Sequence, residues 1–561
     1  MLPSKNENRS FLLFLIAVLL IRGVHIWWIP SLLTGMNPAL AVCSKEMSTS
    51  GLDALNTMMP PLPSLLLSIP SMLLDIPPGR LIDAAALFLS LAHAAAFWYW
   101  LRSLQLSRRV EQATCLIFLF LPMHNGYDGL DSLQTLLAGT VFLGLIAVVN
   151  RSQKKWNPRT AFSLLTMAVL LPLIRAEYLI FVPLFLGLSY LGSRISAGSN
   201  EGESVKAAAC CIAGLLAGFA IDWSVREWKD DGLVDLRAQY ACWTFLDGMP
   251  SAWLSPEDDS EFERRLVGVR KFGPPAEYDY SLKKMILAHP GLTFAKGVLS
   301  IPHWLFQLGG RLQILPLPAA LLALLGFVRL TCLGRSLRHR FLTWHLVSLI
   351  LVTLPLAGFM LNAEYMRPSY PAMCVFIAYG ILGLAGIVHH MIRRFPGRKS
   401  TSASFLLLIV CVGLEFCYFY SDAHYPDVPV LVPIIRKADA LLQANNSRKV
   451  LMDPYSAPID SASRVHWQNR VCVRNRNREI APPSTLPPQP VDVMELYQSC
   501  TLDLEGPVAV FIWTRGTSLE DLSPLAIRWE KIGFQLIDSA VVNSSRQQSW
   551  SVGLYLLEKR D

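Results

Sequence analysis

Long apolar runs alternate with short polar hinges along the first three quarters of the chain. An α-helix needs roughly 20 apolar residues to cross a bilayer, and these runs are close to that length. The pattern therefore predicts about eleven membrane-spanning helices. They are expected at residues 11–30, 81–101, 110–123, 132–149, 160–174, 178–191, 207–221, 312–330, 341–361, 371–392 and 405–420. A shorter apolar run, residues 62–74, is expected to lie in the membrane interface.

Beyond about residue 420 the pattern changes to short β-type runs separated by polar turns. Strands are predicted at residues 450–452, 508–513 and 549–557, and an amphipathic helix at residues 428–444. These elements predict a small α/β domain.

The fold class that follows is a polytopic α-helical membrane protein with a C-terminal α/β domain. The membrane domain is assigned to residues 1–420 and the α/β domain to residues 421–561. Two mostly polar segments, residues 31–80 and 222–311, are expected to form outer loops of the membrane domain.

The distribution of basic residues predicts how the chain is oriented. Every second hinge is rich in Arg and Lys, whereas most of the hinges between them are nearly neutral. Basic loops favour the cytoplasmic side, so the N-terminus is expected inside and the C-terminus outside, in the inner or plasma membrane of a bacterial host. The same distribution argues against a nucleic-acid partner despite a net charge of +8, because the charge is spread over hinges.

Composition agrees with a membrane protein, since 52% of the residues are hydrophobic and 16% are charged. The 11 cysteines show no metal-binding spacing. Cys472 and Cys500 lie in the tail, where they can form a disulfide in an oxidising compartment or remain free thiols.

Ionisable residues near membrane depth are costly and are therefore candidates for function. In this chain they cluster on the predicted outer side of the spans, although outer loops are also simply where polar residues are tolerated. Arg175 and Glu177 interrupt two apolar runs, and Glu364 and Arg367 precede the tenth span. Each couple either forms an ion pair or places its arginine on a lipid phosphate.

The order of several motifs resembles the membrane glycosyltransferases of the GT-C fold, in the group with protein O-mannosyltransferase-like and aminoarabinose-transferase-like members. The motifs are Asn37 to Gly51, Met59-Pro-Pro-Leu62, Arg80 to Arg109, Leu173-Ile-Arg-Ala-Glu177, His289-Pro290 and Glu364-Tyr-Met-Arg-Pro-Ser-Tyr-Pro371. The resemblance covers about residues 10 to 420, and the tail resembles the outer domains of many members.

The resemblance implies inverting transfer of a sugar from a polyprenyl-phosphate donor to a hydroxyl of a glycan, lipid or protein acceptor. It implies that a carboxylate takes the acceptor proton and that cationic groups stabilise the leaving phosphate. The implied catalytic residues are Asp53, Glu46 and Asp128, and the implied substrate-binding residues are Asn37, Arg175, Glu177, Glu364, Arg367 and Tyr370. A divalent metal is a further possibility that the resemblance leaves open.

The sequence departs from the family at the head of the first outer loop. The family has an Asp there, whereas this chain has Met36-Asn37, and an Asn side chain cannot take a proton. Glu46, Asp53 or Asp128 is expected to substitute for it, unless the chain binds lipid-linked sugar without catalysis.

Two other interpretations remain. A transporter for lipid-linked glycans shares the number of spans, although matching broken helices in two repeats are not seen. The aromatic residues of the second outer loop, among them Trp253 and Trp304, either stack on sugar or anchor the loop at the membrane surface.

Overall fold

The computed structural model contains a bundle of helices and a separate β-sheet in the tail. It describes residues 5–28, 40, 44, 47, 61–76, 78–120, 133–152, 156–195, 201–229, 241–242, 244–246, 248–254, 261–309, 317–332, 337–359 and 363–393, and the strand residues 449–452, 468–469, 508–515, 534–543 and 550–559.

The helices follow the chain in order with short connections. They are α1 (Lys5–Trp28), α2 (Pro61–Leu74), α3 (Pro78–Ser103), α4 (Arg108–Phe120), α5 (Leu133–Ser152), α6 (Pro158–Ile174), α7 (Tyr178–Ile195), α8 (Glu201–Lys229), α9 (Glu261–Phe272), α10 (Leu282–Ala288), α11 (Pro290–Gly309), α12 (Leu317–Cys332), α13 (Leu337–Leu351) and α14 (Tyr370–Arg393). Short 3₁₀ helices lie at Ser251–Trp253, Pro275–Tyr278, Leu354–Gly358 and Ala363–Ser369.

Ten of the eleven predicted apolar runs coincide with helices, and the run at residues 405–420 lies outside the described residues. By length and composition, five helical segments in the described part of the chain are able to cross a membrane. They are Leu81–Ser103, Leu133–Ser152, Gly202–Val225, His339–Gly358 and Met366–Gly386. Four further apolar helices are shorter, at 10–17 residues. The number eleven therefore stays a prediction.

The perimeter of the bundle is apolar. Large hydrophobic side chains point outward from several helices, for example Phe88, Phe162 and Leu216, whose exposed fractions are 70%, 71% and 62%. In water such a surface would favour association, whereas against lipid it needs no partner. The interior is a continuous apolar core that includes Trp100, Phe142 and other large side chains of α3 to α7 and α12 to α14.

Glycines allow two pairs of helices to touch backbone to backbone. On α8, a Cβ at Gly218 would lie 2.3 Å from the Val169 carbonyl oxygen of α6. On α14, a Cβ at Gly380 would lie 2.0 Å from the Leu322 carbonyl oxygen of α12. Small residues at such crossings are the usual means of close helix packing in membranes, where apolar burial alone does not drive association.

Polar contacts between α3 and α5 show that these helices run side by side in the same direction. Asn150 donates to Ser103 over 3.0 Å at one end, and His93 lies 3.2 Å from Thr140 farther along. Both contacts join residues 47 positions apart. Two helices separated by one returning helix, α4, are expected to have this relative direction.

In the tail, the described strands form one mixed sheet. They are β1 (Lys449–Met452), β2 (Gln468–Asn469), β3 (Val508–Arg515), β4 (Phe534–Asn543) and β5 (Trp550–Lys559), in the order β2-β1-β3-β5-β4. The strands β2, β1 and β3 are parallel, and β5 is antiparallel to both β3 and β4. The three predicted strands are confirmed as β1, β3 and β5, whereas β4 was not predicted. The predicted helix at residues 428–444 lies outside the described residues.

Candidate functional site

Arg175 lies at a break between two apolar helices. Helix α6 ends at Ile174, and Arg175 has an extended backbone with φ −153° and ψ 124°. Its N–H donates to the Leu171 carbonyl over 2.8 Å, and the Glu177 carbonyl accepts from Ile180 over 2.9 Å at the start of α7. The sharp turn buries the Arg175 side chain, which is only 8% exposed.

The buried Arg175 guanidinium has two polar partners. Its Nε forms an ion pair with Glu177, whose side chain is 18% exposed. Its Nη1 donates to the hydroxyl of Thr135 on α5. Of the two interpretations of this hinge, the structure therefore contains the ion pair, and the ion pair fixes the guanidinium against α5.

Arg367 approaches the same helix from the other side of the chain. It lies in the 3₁₀ helix Ala363–Ser369 and is 3% exposed. A Cβ at Gly139 would lie 3.2 Å from both Cδ and Nε of Arg367, so the arginine side chain lies directly over the glycine. Only a residue without a side chain leaves α5 open to the guanidinium at this position.

The two arginines meet at one face of α5. Thr135 contacts Arg175 and Gly139 contacts Arg367, and these positions are one helical turn apart. The Tyr178 hydroxyl lies within electrostatic range of Glu177 and of both arginines. We call Arg175, Glu177, Tyr178 and Arg367, together with Thr135 and Gly139, the arginine cluster.

His93 of α3 adds an imidazole beside this cluster. Its Cε1 lies 3.5 Å from the position of a Gly139 Cβ, and the residue is 2% exposed. The Thr140 hydroxyl donates to the Leu136 carbonyl over 2.7 Å, so its oxygen accepts from His93 Nδ1–H over 3.2 Å. This bond sets the orientation of the ring, which stacks on Phe118.

A buried lysine supports the segment that carries Arg367. Lys296 of α11 is fully buried, and its Nζ donates to the Phe245 and Phe359 carbonyls, the latter over 2.8 Å. The ammonium also lies 3.6 Å from the Phe245 ring centroid. Buried charges are retained where hydrogen bonds and nearby rings compensate them. Lys296 thus joins three parts of the outer region close to the Ala363–Ser369 helix.

The structure places the other predicted residues as follows. Asn37, Glu46, Asp53 and Asp128 lie outside the described residues. Glu364 belongs to the 3₁₀ helix of Arg367, and only its backbone is described. Tyr370 begins α14 and is 3% exposed. The structure thus brings together Arg175, Glu177 and Arg367 of the predicted set.

The aromatic residues of the second outer loop have different roles. Trp304 is buried, and its Nε1 donates to Thr353 over 3.0 Å, so it packs the loop instead of offering a surface for sugar. Trp253 is partly exposed, and Lys271 lies 4.7 Å from its ring centroid. Tyr240 and Trp243, which belong to the same predicted surface, lie outside the described residues.

The His289-Pro290 motif marks the start of a helix, as the resemblance implies. Pro290 is the first residue of α11, and the Tyr278 hydroxyl donates to the Phe272 carbonyl over 2.8 Å. His289 Nε2–H therefore donates to the Tyr278 oxygen over 2.9 Å.

Sequence patterns did not identify His93, Gly139 or Lys296. A signal existed for the two ionisable ones, because a histidine in a span and a lysine in an apolar helix are both costly there. For Gly139 the sequence offers no signal, since a glycine in an apolar helix commonly serves packing alone.

No protein-family model matches the chain, and no curated protein matches it in sequence. Three similar solved structures are of an oligosaccharyltransferase from Archaeoglobus fulgidus. One is complexed with Zn and sulfate, at 10% identity, TM-score 0.44, 81% of this chain and 61% of that chain. One, AglB with an inhibitory peptide and a dolichol-phosphate, has 12% identity, TM-score 0.44 and coverage of 82% and 64%.

The third is tethered to an acceptor peptide containing the NVT sequon, at 10% identity, TM-score 0.45 and coverage of 82% and 64%. The chain thus spans less than two thirds of the length of these proteins. Similarity at this level does not assign the chain to a family.

Proposed function

We propose that the chain is a membrane glycosyltransferase that moves a sugar from a polyprenyl-phosphate donor to an acceptor on the non-cytoplasmic face. The observation that supports this is the arginine cluster. Two arginines, 7% and 3% exposed, reach one face of α5 at the end of the bundle that is predicted to be outside. Glu177 compensates one of them, which leaves the cluster with a net positive charge.

This arrangement suits the departing phosphate of the donor. When the bond between the anomeric carbon and the phosphate oxygen breaks, negative charge accumulates on the polyprenyl phosphate. Guanidinium groups hold phosphate oxygens through paired N–H donors, and a buried site strengthens that attraction. Arg367 is the proposed phosphate-binding residue, with Arg175 as a second cation that Thr135 and Glu177 hold in position.

The proposed base is a carboxylate of the outer loops, Asp53, Glu46 or Asp128. It would take the proton of the acceptor hydroxyl as the oxygen attacks the anomeric carbon. Asp128 is only seven residues before Thr135, so the chain keeps it within about 25 Å of the cluster.

Among the described residues no three His, Cys, Asp or Glu side chains converge on a metal-sized site. No step is therefore assigned to a metal.

A transfer assay tests the proposal. Membranes containing the protein are incubated with radiolabelled polyprenyl-phosphate sugars, and labelled product is separated from donor. We expect Arg367→Gln to lower the transfer rate about a hundredfold, because one stabilising group for the leaving phosphate is lost. The matched control is Arg151→Gln, which removes an exposed arginine from the far end of α5 and is expected to keep activity within about twofold.

The same assay separates the three interpretations. Asp53→Asn, Glu46→Gln and Asp128→Asn are measured in parallel, and loss of transfer in one of them identifies the base. Binding of the donor without product would support a non-catalytic relative, in agreement with Asn37. Uptake of the donor into vesicles without product would support the transporter.

A further inference from the structure

A second cavity lies in the bundle, away from the arginine cluster. Its volume is about 510 Å³, and it opens between the turn after α3 and the facing ends of α4, α12, α13 and the middle of α14. On α14, Tyr379 lines this cavity, whereas Tyr370 lies next to the arginine cluster. Nine residues of helix separate them by about 14 Å, so the two sites are distinct.

The polar side of this cavity carries positive charge. Arg109, Arg329 and His339 line it together with Ser107 and Tyr379, and none of its described lining residues is acidic. Arg329 is held in place because its Nη1 donates to the Tyr379 carbonyl over 3.1 Å. Its Cδ lies 3.1 Å from the position of a Gly383 Cβ, so a glycine also makes room for it.

The remaining wall is apolar and consists of three leucines and a valine. The cavity lies at the level where candidate spans end and begin, because Ser107 follows the span Leu81–Ser103 and His339 begins the span His339–Gly358. A pocket of this size holds far more than a single ion. Its ligand must therefore combine an anionic group with an apolar part.

We propose that this cavity binds the phosphate group of an anionic membrane phospholipid. The phosphate would lie between Arg109 and Arg329, within reach of Ser107 and His339, and the beginning of an acyl chain would lie along the apolar wall. Basic pockets between transmembrane helices are a known arrangement for anionic headgroups. This site is independent of the proposed transfer reaction.

A binding assay with the purified full-length protein in detergent micelles tests this inference. The probe is phosphatidic acid with a fluorescent acyl chain, displaced by unlabelled dioleoylphosphatidic acid or by dioleoylglycerol, which has the same acyl chains without the phosphate. We expect displacement by the phosphatidic acid and not by the dioleoylglycerol. Equal displacement by both lipids would overturn the proposal.

Neighbouring arginines provide a matched pair of variants. Arg108 and Arg109 are both exposed residues of the first turn of α4, and only Arg109 lines the cavity. We expect Arg109→Gln to weaken lipid binding about tenfold, whereas Arg108→Gln stays within about twofold, although both remove one charge. Equal effects of the two substitutions would show a general surface attraction and would overturn the site.

Arg329→Gln is expected to weaken binding by at least the same factor, and Arg329→Lys to restore part of it. Because Arg329 also contacts the α14 backbone, size-exclusion elution and the apparent Tm are compared with the wild type, and Arg109→Gln decides the matter if Arg329→Gln does not fold.

Inorganic phosphate and glycerol 3-phosphate are the soluble competitors. If they displace the probe at the concentrations at which phosphatidic acid does, the ligand is a free phosphate compound and the lipid assignment is wrong. Displacement by the lipid alone supports the proposal. None of these outcomes depends on sugar transfer, so this inference and the proposed function fail separately.

Discussion

Glycines next to charged groups determine which single substitutions this protein tolerates. Gly139 and Gly144 lie on the same helix, α5, but their surroundings differ. A Cβ at Gly139 would lie 3.2 Å from the Arg367 side chain, whereas one at Gly144 would lie 3.3 Å from the flexible end of Met167. The first neighbour is a buried cation that the proposed reaction needs, and the second is a side chain that adapts easily.

We predict that Gly139→Ala lowers the rate of sugar transfer roughly tenfold without unfolding the protein. The added methyl group displaces Arg367 by a few tenths of an ångström, and catalysis is sensitive to small errors in position. Alanine is favoured over glycine in a helix by about 1 kcal/mol, so the variant should keep or gain thermal stability. Transfer assays and a thermal melt on the same preparation measure both effects.

Gly144→Ala is the control for this prediction. It has the same gain in helix propensity and no effect on Arg367, so its transfer rate should match the wild type. If both variants lose activity equally, or neither does, the contact between Gly139 and Arg367 has no role in transfer.

Elements in this protein follow from the sequence far better than contacts between them. The apolar runs fixed α5 at residues 132–149 against the observed Leu133–Ser152, and α14 at residues 371–392 against Tyr370–Arg393. Periodicity and length suffice for this, because each helix satisfies its own backbone in the membrane. The side of α5 that meets Arg367 depends on a residue more than 200 positions away, and no local pattern encodes it.

The candidate site shows the same division. The ion pair of Arg175 and Glu177 is local and was one of two predicted alternatives, whereas Thr135 as the second partner of Arg175 was not predicted. The strand β4 was missed although its neighbour β5 was predicted, because its polar residues Gln535, Asp538 and Ser539 interrupt the alternation that marks a strand.

At the crossing of α12 and α14, we predict that Gly380→Ala lowers the apparent Tm by several degrees. The new Cβ would lie 2.0 Å from the Leu322 carbonyl oxygen, and because that atom belongs to the backbone the helices themselves must separate. Overpacking of this kind costs about 1–3 kcal/mol. Intrinsic tryptophan fluorescence during heating in detergent measures the change.

Gly386 of the same helix is the matched position. No atom lies within 4 Å of a Cβ there, so Gly386→Ala should leave the apparent Tm unchanged or slightly higher. Equal Tm values for the two variants would mean that α12 and α14 are not in backbone contact.

The whole molecule has two charged sites that belong to opposite ends of the bundle in the predicted orientation. The arginine cluster lies at the predicted outer end, where α6 meets α7, and the phosphate cavity lies at the predicted inner end, near the basic hinge of residues 335–340. Helix α14 contacts both regions. The orientation of the chain therefore decides which leaflet supplies the lipid and which compartment supplies the acceptor.

Cysteine labelling from one side of the membrane tests this orientation. Cys332 is exposed at the end of α12, on the predicted cytoplasmic side, and Ser251 is exposed in the predicted outer loop. Two single-cysteine chains are compared in a background without the other native cysteines, one retaining Cys332 and one carrying Ser251→Cys. An impermeant maleimide should label Ser251→Cys in intact cells and Cys332 only after the membrane is permeabilised.

Cys242 provides an internal control on the same outer side. Burial raises the pKa of its thiol to about 11, so almost no thiolate exists at neutral pH, and the thiolate is the species that reacts with maleimide. A chain that retains only Cys242 should stay unlabelled in intact cells and react after denaturation. Labelling of Cys332 in intact cells would invert the orientation, and it would place the phosphate cavity in the outer leaflet and the arginine cluster on the cytoplasmic side, where the proposed transfer to an outer acceptor is impossible.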